Sequence, residues 1–139
     1  MQLSEILQKV KQLGLPDGSY VVYGSGPMAA AGIREANDID MLVSPELFKK
    51  LERDGWQVRQ KGPNDNPLVF NDFEAHQSWS FSDYNPALEH LLASATVVDG
   101  VPFAALEEVR KWKAANITGK SQRDIELIDD YFLVKKTSL

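Results

Sequence analysis

Apolar residues recur along the chain at two different spacings. Near the start they fall three or four positions apart, which is typical of one face of an α-helix, and Gly14 follows the last of them. The next apolar runs, 19–23 and 38–43, are short, and each predicts a β-strand. An Ala-rich segment between these two runs is compatible with a short helix. The start of the chain therefore predicts helix, strand, helix and strand in that order.

Helices and strands are also predicted in the rest of the chain, after residue 43. Ser44, Pro45 and Glu46 indicate a helix start, because they supply a cap, a favourable first residue and a first-turn acid. The β-rich stretch 68–81 predicts either one long strand or two short ones. The remaining predictions are strands at 56–58 and 96–98 and helices at 85–92, 105–115 and 123–134. This order predicts one α/β (α+β) domain over residues 1–139, with a mixed β-sheet flanked by helices.

Composition narrows the class of protein. The 139 residues include 15 Lys and Arg against 20 Asp and Glu, a net charge of −5, and no Cys. The lack of Cys excludes a disulfide scaffold, a zinc ribbon and a thiol nucleophile. The acidic balance argues against bulk binding of nucleic acid, and no apolar run reaches the roughly 20 residues of a membrane span. The N-terminus lacks the pattern of a signal peptide, so we expect a cytoplasmic protein.

Two short motifs have the residue types of a binding site. The Gly24-Ser25-Gly26 turn between a strand and a helix exposes backbone N–H groups, which favour an anion. Asp38 and Asp40 are two positions apart on a strand, so their side chains project from the same face. Two carboxylates this close repel each other unless a cation lies between them or one of them takes a proton. Mg²⁺ suits this position, because it is commonly shared between carboxylates and substrate phosphates. Together the motifs predict a site for a Mg²⁺–nucleotide complex.

The spacing of these motifs resembles the signature of a known family. A Gly-Ser pair after a strand (24–25), a short helix and an Asp-Ile-Asp-Met sequence (38–41) are similar to the signature of the nucleotidyltransferase superfamily, which has a polymerase-beta-like fold. The segment 24–43 also resembles small bacterial nucleotidyltransferase-like proteins of unassigned activity. The resemblance implies an enzyme, dependent on Mg²⁺ (or Mn²⁺), that moves a nucleoside monophosphate from an NTP such as ATP to a hydroxyl or similar acceptor.

The resemblance also implies roles for individual residues. Gly24 and Ser25 would hold the terminal phosphates of the nucleotide. Asp38 and Asp40 would act in catalysis by binding two divalent metal ions, which clamp the attacking and leaving oxygens of an in-line displacement. Members of the family usually add a third carboxylate from a later strand, which ligates the second metal and helps to activate the acceptor.

Two residues compete for the role of that third carboxylate. Glu74 fits the family pattern best as a catalytic and metal-binding residue, and Asp72 is the alternative. If 68–81 were one continuous strand, Asp72, Glu74 and His76 would share a face. A bend in this stretch would separate them. A protein without the third carboxylate would bind nucleotide with little or no transfer activity.

Basic residues are concentrated late in the chain. The segment 107–123 holds five cationic residues against two acids: Arg110, Lys111, Lys113, Lys120 and Arg123. Its Trp-Lys, Gly-Lys and Arg-Asp pairs resemble a signal found in some members of the family. The segment could meet the triphosphate or a polyanionic acceptor. We expect Lys113 and Arg123 to contact the triphosphate, because phosphoryl transfer depends on positioning and on cations near the leaving group.

Other interpretations remain open at this point. The Gly-Lys-Ser at 119–121 lacks the first glycine of a P-loop, since position 114 is Ala, and no clear strand precedes it. The turn at 24–29 matches a loose dinucleotide-binding pattern, but a pair of acids at the start of the second strand suits metal better than ribose. The main alternative is an inactive nucleotidyltransferase fold that binds nucleotide or a protein partner. The acceptor could be a small molecule, a protein side chain or an RNA end, and a homodimer or a partner protein could complete the site. The nucleobase preference is not predicted.

Overall fold

The computed structural model describes residues 1–63, 66–80 and 83–137. Within these ranges lie six helices: α1 (Leu3–Leu13), α2 (Gly26–Ala30), α3 (Pro45–Arg53), α4 (Leu88–Ala93), α5 (Leu106–Ala115) and α6 (Gly119–Thr137). The same ranges contain seven strands: β1 (Tyr20–Tyr23), β2 (Ile39–Val43), β3 (Gln57–Val58), β4 (Leu68–Phe70), β5 (Phe73–His76), β6 (Thr96–Val98) and β7 (Val101–Phe103). None of the described helices is long and apolar enough to cross a membrane.

The strands in the described part of the chain form one mixed sheet in the order β3-β4-β5-β2-β1-β7-β6. β2 runs parallel to β5 and β1 runs parallel to β7, whereas the other neighbours are antiparallel. Parallel neighbours need a crossover connection, and α3 lies in the one between β2 and β5. The predicted α/β (α+β) fold with a mixed sheet flanked by helices is confirmed.

The two faces of the sheet pack against different apolar clusters. On one face, Ile39 of β2 packs with residues of α1 and α3. On the other face, Leu42 of β2 packs with Tyr23 and Trp79 and with residues of α4. A third small cluster joins α2, α5 and α6. Since side chains alternate along a strand, Asp40 lies on the same face as Leu42, beside the aromatic cluster.

Two helix boundaries follow the predicted capping rules. Gly14 ends α1 in the left-handed conformation with φ of 61°, and its N–H donates to the carbonyl of Lys11 at 3.2 Å. The hydroxyl of Ser44 accepts a hydrogen bond from the N–H of Leu47 at 3.1 Å, and Pro45 opens α3. These local rules explain why the elements that flank β1 and β2 begin and end where the sequence indicates.

Residues 68–76 form a hairpin of two short strands, so the long-strand alternative is wrong. β4 and β5 pair antiparallel, with Phe70 opposite Phe73. Between them Asn71 adopts a left-handed conformation with φ of 52°, as asparagine does in tight turns. Asp72 therefore lies in the turn and not in the strand that carries Glu74. Phe81 lies outside the described residues.

The sequence pattern did not predict one of the strands, and it predicted one helix shorter than the structure shows. β7 has only three residues and contains Pro102, which weakens a strand signal because proline cannot donate to the ladder. It nevertheless joins the sheet, since the N–H of Ala104 donates to the carbonyl of Val22 at 2.9 Å. α6 begins at Gly119, four residues before its predicted start, because Thr118 Oγ1 accepts from the N–H of Ser121 at 3.1 Å and stabilises the first turn.

Candidate active site

Asp40 lies at the centre of the sheet, on β2 between β1 and β5. The strand register pairs it with Tyr23 on β1 and with Glu74 on β5. Paired residues on neighbouring strands point to the same face, so Asp40 and Glu74 are neighbours, and His76 follows two positions later on that face. The structure thus brings two of the predicted carboxylates together and adds an imidazole.

Asp40, Glu74 and His76 form a compact group of potential ligands. One ligand atom from each of the three lies within 4.8 Å of the other two. Glu74 and His76 are buried, with 7% and 8% of their surfaces exposed. His76 Nε2 lies 3.9 Å from Asp40 Oδ1. Carboxylates and imidazole are ligands for divalent cations, so the donor chemistry of this group fits a metal ion.

Burial and neighbouring charges shift the acidity of the carboxylates. Burial raises the pKa of Asp40 to about 6, although its contact with His76 acts in the opposite direction. Burial, followed by the charge of Glu74, raises the pKa of Asp38. Burial acts to raise the pKa of Glu74 as well, but the hydrogen bond from Lys61 helps to lower it overall. The group therefore favours a cation beside it, and Lys61 provides one through its ion pair with Glu74.

The predicted phosphate-binding turn lies against the central carboxylate. Gly24 has φ of 68°, and a Cβ added there would lie 2.4 Å from Oδ2 of Asp40. Both the conformation and the close approach require glycine. Ser25 precedes α2 and lines the cleft described below. Residues 24–25 and Asp40, which are separate motifs in the sequence, are therefore parts of one site.

A cleft of about 300 Å³ is lined on the sheet side by Asp40, Glu74 and His76. Its cationic lining comes from four residues: Arg34, Lys61, Lys113 and Lys120. The other lining residues are Ser25, Asn37, Asp38, Trp79, Trp112, Thr118 and Ser121. Carboxylates on one side and cations around the rest make a cleft that suits an anionic ligand accompanied by metal ions.

Lys113 is held in the cleft by a buried ion-pair network. Its Nζ lies 2.8 Å from Oδ2 of Asp124, and both side chains are almost completely buried, with 6% and 4% exposed. Arg34 donates from Nε and Nη2 to the two oxygens of Asp124, each at 2.9 Å. Lys113 Nζ also lies 4.5 Å from the centre of the Trp112 ring. Burial lowers the pKa of Lys113, against the hydrogen bond to Asp124 that raises it.

The remaining predicted site residues occupy different positions. Asp38 lines the cleft just before β2, outside the group formed by the ligand atoms described above. Arg123 is exposed on α6 and is not among the residues that line the cleft, where Lys120 and Ser121 represent that helix. Asp72, the alternative third carboxylate, forms an ion pair with Lys9 at the hairpin turn. Of the two candidates for the third carboxylate, Glu74 is thus the one that lies beside Asp40.

Sequence reasoning missed several residues that shape the cleft. Lys61 lies in a turn-rich connection with no periodic signal, and its proximity to Glu74 depends on how that connection folds back. Asp124 belongs to the Arg-Asp pair at 123–124, but its contact with Arg34 joins positions 90 residues apart. His76 was not missed, because its spacing of two residues from Glu74 already indicated a shared face, and the structure places it in the group.

Comparisons with known proteins identify a shared fold. No protein-family model matches the sequence, and no curated protein matches it. A crystal structure of ANT(2″)-Ia in complex with adenylyl-2″-tobramycin superposes with a TM-score of 0.55 at 17% identity, covering 98% of this chain and 90% of that one. A solution structure of the antibiotic-resistance factor ANT(2″)-Ia gives a TM-score of 0.54 at 17% identity, covering 98% and 85%. The resemblance to the polymerase-beta-like nucleotidyltransferase fold is therefore confirmed at the level of fold.

Proposed function

We propose that the protein is a metal-dependent nucleotidyltransferase that moves a nucleoside monophosphate from an NTP to a small hydroxylated acceptor. The observation that carries this proposal is the convergence of the Gly24 turn, the Asp40–Glu74 pair and Lys113 on one cleft. An anion-binding turn, neighbouring carboxylates and a buried cation are the parts that nucleotide chemistry needs. The shared fold with ANT(2″)-Ia, which was solved in complex with adenylyl-2″-tobramycin, supports the same class of reaction.

The nucleotide phosphates are assigned to the side of the cleft formed by the turn and by α5 and α6. Ser25 and the backbone of Gly24 provide donors at the turn. Lys113 and Lys120 provide positive charge from the two helices. We assign the triphosphate contacts to these two lysines rather than to Arg123, because the exposed side chain of Arg123 does not line the cleft.

The divalent metal ions are assigned to Asp38, Asp40 and Glu74. Mg²⁺ or Mn²⁺ bound there supplies positive charge that neutralises the phosphate oxygens and the oxygens of the attacking and leaving groups. Asp38 and Asp40 line the cleft as partly buried residues, whereas Glu74 is buried. This arrangement gives the three carboxylates unequal solvent access within one site.

The reaction is an in-line displacement at the α-phosphorus. An acceptor oxygen forms a bond to that phosphorus while the bond to the oxygen bridging the α- and β-phosphates breaks, and pyrophosphate leaves. The acceptor hydroxyl gives up its proton, and Glu74 is the carboxylate that we assign to take it. Lys113 and Lys120 stabilise the charge that develops on the leaving pyrophosphate.

The test follows cleavage of the α–β bond with water as a slow acceptor and with a panel of polyols and aminoglycosides as faster ones. The purified protein should convert an NTP to nucleotidyl product or NMP and pyrophosphate, not to NDP and phosphate. Asp40→Asn should lower this rate by about 100-fold or more, because it removes a charge at nearly constant size. Asp54→Asn is the matched control, since Asp54 pairs with Lys50 at the end of α3. Equal rates for wild type and Asp40→Asn would exclude the proposed role of Asp40.

A second function, nucleotide binding without transfer, is favoured by one observation. Lys61 and Arg59 both approach Oε1 of Glu74, Arg59 at 3.9 Å, so protein cations already neutralise the third carboxylate. In a binding protein the NTP would raise thermal stability while no α–β cleavage occurs with any acceptor. Lys61→Ala separates the two functions, because it should increase cleavage in an enzyme and leave a binding protein inactive.

A further inference from the structure

We propose that His76 is a direct ligand of the divalent metal, together with Asp40 and Glu74, and that this nitrogen ligand makes the site prefer Mn²⁺ to Mg²⁺. The proposal rests on the proposed function, since it concerns the metal of the same cleft. It adds a residue and a metal preference that the carboxylate motif alone does not give.

The sheet register places the imidazole on the correct face. Asp40 pairs with Glu74, and Leu42 pairs with His76, in the parallel ladder of β2 and β5. His76 therefore projects from the same face as Asp40, one pleat further along the strand. This face is the one that lines the cleft, so the ring and the two carboxylates converge on a single volume.

The spacing of the ligand atoms suits one shared ion. Two ligand atoms that each lie about 2.1 Å from an octahedral ion are separated by about 3 Å when adjacent and about 4.2 Å when opposite. His76 Nε2 and Asp40 Oδ1 are 3.9 Å apart, which is nearer to the separation of opposite ligands. The separation is therefore compatible with one cation held between Asp40 and His76, and the ligand atom of Glu74 lies within 4.8 Å of both.

The surroundings of His76 hold its ring in place. The ring is 8% exposed and packs edge-on against Trp79, with ring centres 4.5 Å apart. Trp79 in turn contacts Tyr23 and Trp112. Such packing restricts rotation of the imidazole and excludes water, which are properties of a prearranged metal ligand.

Lys61 competes with a metal ion for the carboxylate of Glu74. It forms an ion pair with Oε1 of Glu74, and Arg59 approaches the same oxygen. Asp40 and His76 instead face each other across the gap that the ion would occupy. The metal is therefore expected to be anchored by Asp40 and His76, with Glu74 completing the set through its second oxygen or after Lys61 moves away.

The metal preference follows from the ligand types. Mg²⁺ favours oxygen ligands, whereas imidazole is a better ligand for first-row transition ions. A carboxylate-only site would gain little by exchanging Mg²⁺ for Mn²⁺. With His76 as a ligand, the ratio of the Mg²⁺ to the Mn²⁺ dissociation constant should be large and should depend on that residue.

The experiment is a metal titration of the nucleotide-free protein, read by the electron paramagnetic resonance signal of free Mn²⁺, with Mg²⁺ as the competitor. His76→Gln should weaken Mn²⁺ binding about 10-fold or more, and Mg²⁺ binding much less. The chain has two histidines, which makes His90→Gln the matched control. His90 lies on α4 with its side chain 57% exposed and paired with Glu108, and its loss should leave both affinities unchanged.

A second readout keeps the proposal testable if His76→Gln does not fold. In the nuclear magnetic resonance spectrum of the unaltered protein, Zn²⁺ should shift the ring signals of His76 at lower concentration than those of His90. Equal Mn²⁺ affinity in wild type and His76→Gln, no Mn²⁺ binding to wild type at millimolar concentration, or a Zn²⁺ response confined to His90 would each overturn this inference. None of these results depends on nucleotide cleavage, so the proposed transfer function would still be judged by its own assay.

Discussion

At the scale of single residues, the close contacts of the site allow little substitution. Gly24 lies against Asp40 with no room for a side chain, and Asp124 joins Arg34 and Lys113 in a buried network. In both cases the residue acts by holding a neighbour at the cleft. Substitutions at these positions should therefore affect stability and ligand binding together.

We expect Gly24→Ala to destabilise the protein through two separable effects. The left-handed conformation costs alanine about 1–2 kcal/mol, and the overlap with the Asp40 carboxylate adds about 1–3 kcal/mol. Gly32→Ala is the control, because Gly32 has φ of 74° and a Cβ added there would meet nothing within 4 Å. Urea unfolding of the two variants measures the difference. Equal destabilisation would mean that the contact with Asp40 contributes nothing.

We expect Asp124→Asn to destabilise the protein by about 3–5 kcal/mol, because it leaves Lys113 buried without its partner charge. Asp129→Asn makes the same chemical change on the same helix, where Asp129 pairs with Arg110 in solvent. That exposed pair should contribute less than about 1 kcal/mol. Chemical denaturation of both variants gives the comparison, and similar values would contradict the assigned burial of the Asp124 network.

At the scale of elements, helices α4 and α5 and the segment between β5 and α4 meet at one buried carboxylate. Glu108 of α5 accepts a hydrogen bond from Tyr84 at 2.7 Å and lies 2.7 Å from His90 of α4. The hydroxyl of Tyr23 on β1 contacts Tyr84 and donates to the carbonyl of Glu108 at 2.9 Å. This network fixes α4 and α5 to the face of the sheet that carries the site.

The charge of Glu108 should make the stability of the protein depend on pH. Burial acts to raise the pKa of Glu108, but the hydrogen bonds from Tyr84 and His90 lower it overall from its ordinary 4.5. A lowered folded-state pKa gives stability that is complete above about pH 4.5 and is lost as the pH falls through the folded-state value. Unfolding measured from pH 6 to pH 3 should show a smaller loss in Glu108→Gln than in wild type. The exposed neighbour variant Glu107→Gln should keep the wild-type pH dependence.

The elements that the sequence predicted are those with strong local signals. Ser44-Pro45 and Gly14 set helix ends by chemistry within a few residues, so those boundaries could be predicted. The hairpin at 68–76 depends on Asn71 adopting a left-handed turn inside an otherwise β-rich run, which periodicity does not detect. β7 is stabilised by pairing with β1 in the sheet. Its Pro102 lowers the strand propensity of the segment, so the sequence pattern did not predict this strand.

The residues of the candidate site also fall into two groups: those that local spacing predicts and those that only the folded structure brings together. Gly24, Asp38 and Asp40 lie within one short segment, so spacing alone could relate them. Glu74 required the family resemblance, and its position beside Asp40 is a consequence of strand register. Lys61 and the partner of Lys113 could not be predicted, because both depend on the packing of segments distant in sequence.

At the scale of the whole molecule, β1, β2 and β5 adjoin at the centre of the sheet and assemble residues from most of the chain into one cleft. Asp40 and Glu74 come from strands, whereas the lysines and the arginine that line the cleft come from helices and connections. A net charge of −5 thus coexists with a locally cationic wall, which overall composition conceals. This separation of charge is the property that a nucleotide carrying a metal ion would use.

We expect an NTP with Mg²⁺ or Mn²⁺ to stabilise the folded protein as a whole. At a ligand concentration of about 100 times its dissociation constant, the gain is about 2.7 kcal/mol. Thermal unfolding with ATP, GTP, CTP and UTP, each with and without metal, measures it. Asp40→Asn should lose the stabilisation and Asp54→Asn should keep it. Stabilisation that ignores both metal and Asp40 would argue for a nucleotide site elsewhere.

The Arg34–Asp124–Lys113 network bears on the order in which the site is completed during synthesis. The turn and the carboxylates are made early, whereas Asp124, which positions Lys113 and Arg34, belongs to α6 and follows every described strand. A nascent chain that has released its strands from the ribosome still lacks the residue that fixes its cations. The proposed nucleotide site is therefore complete only in chains in which α6 has docked, so this helix acts as a folding checkpoint for the cleft.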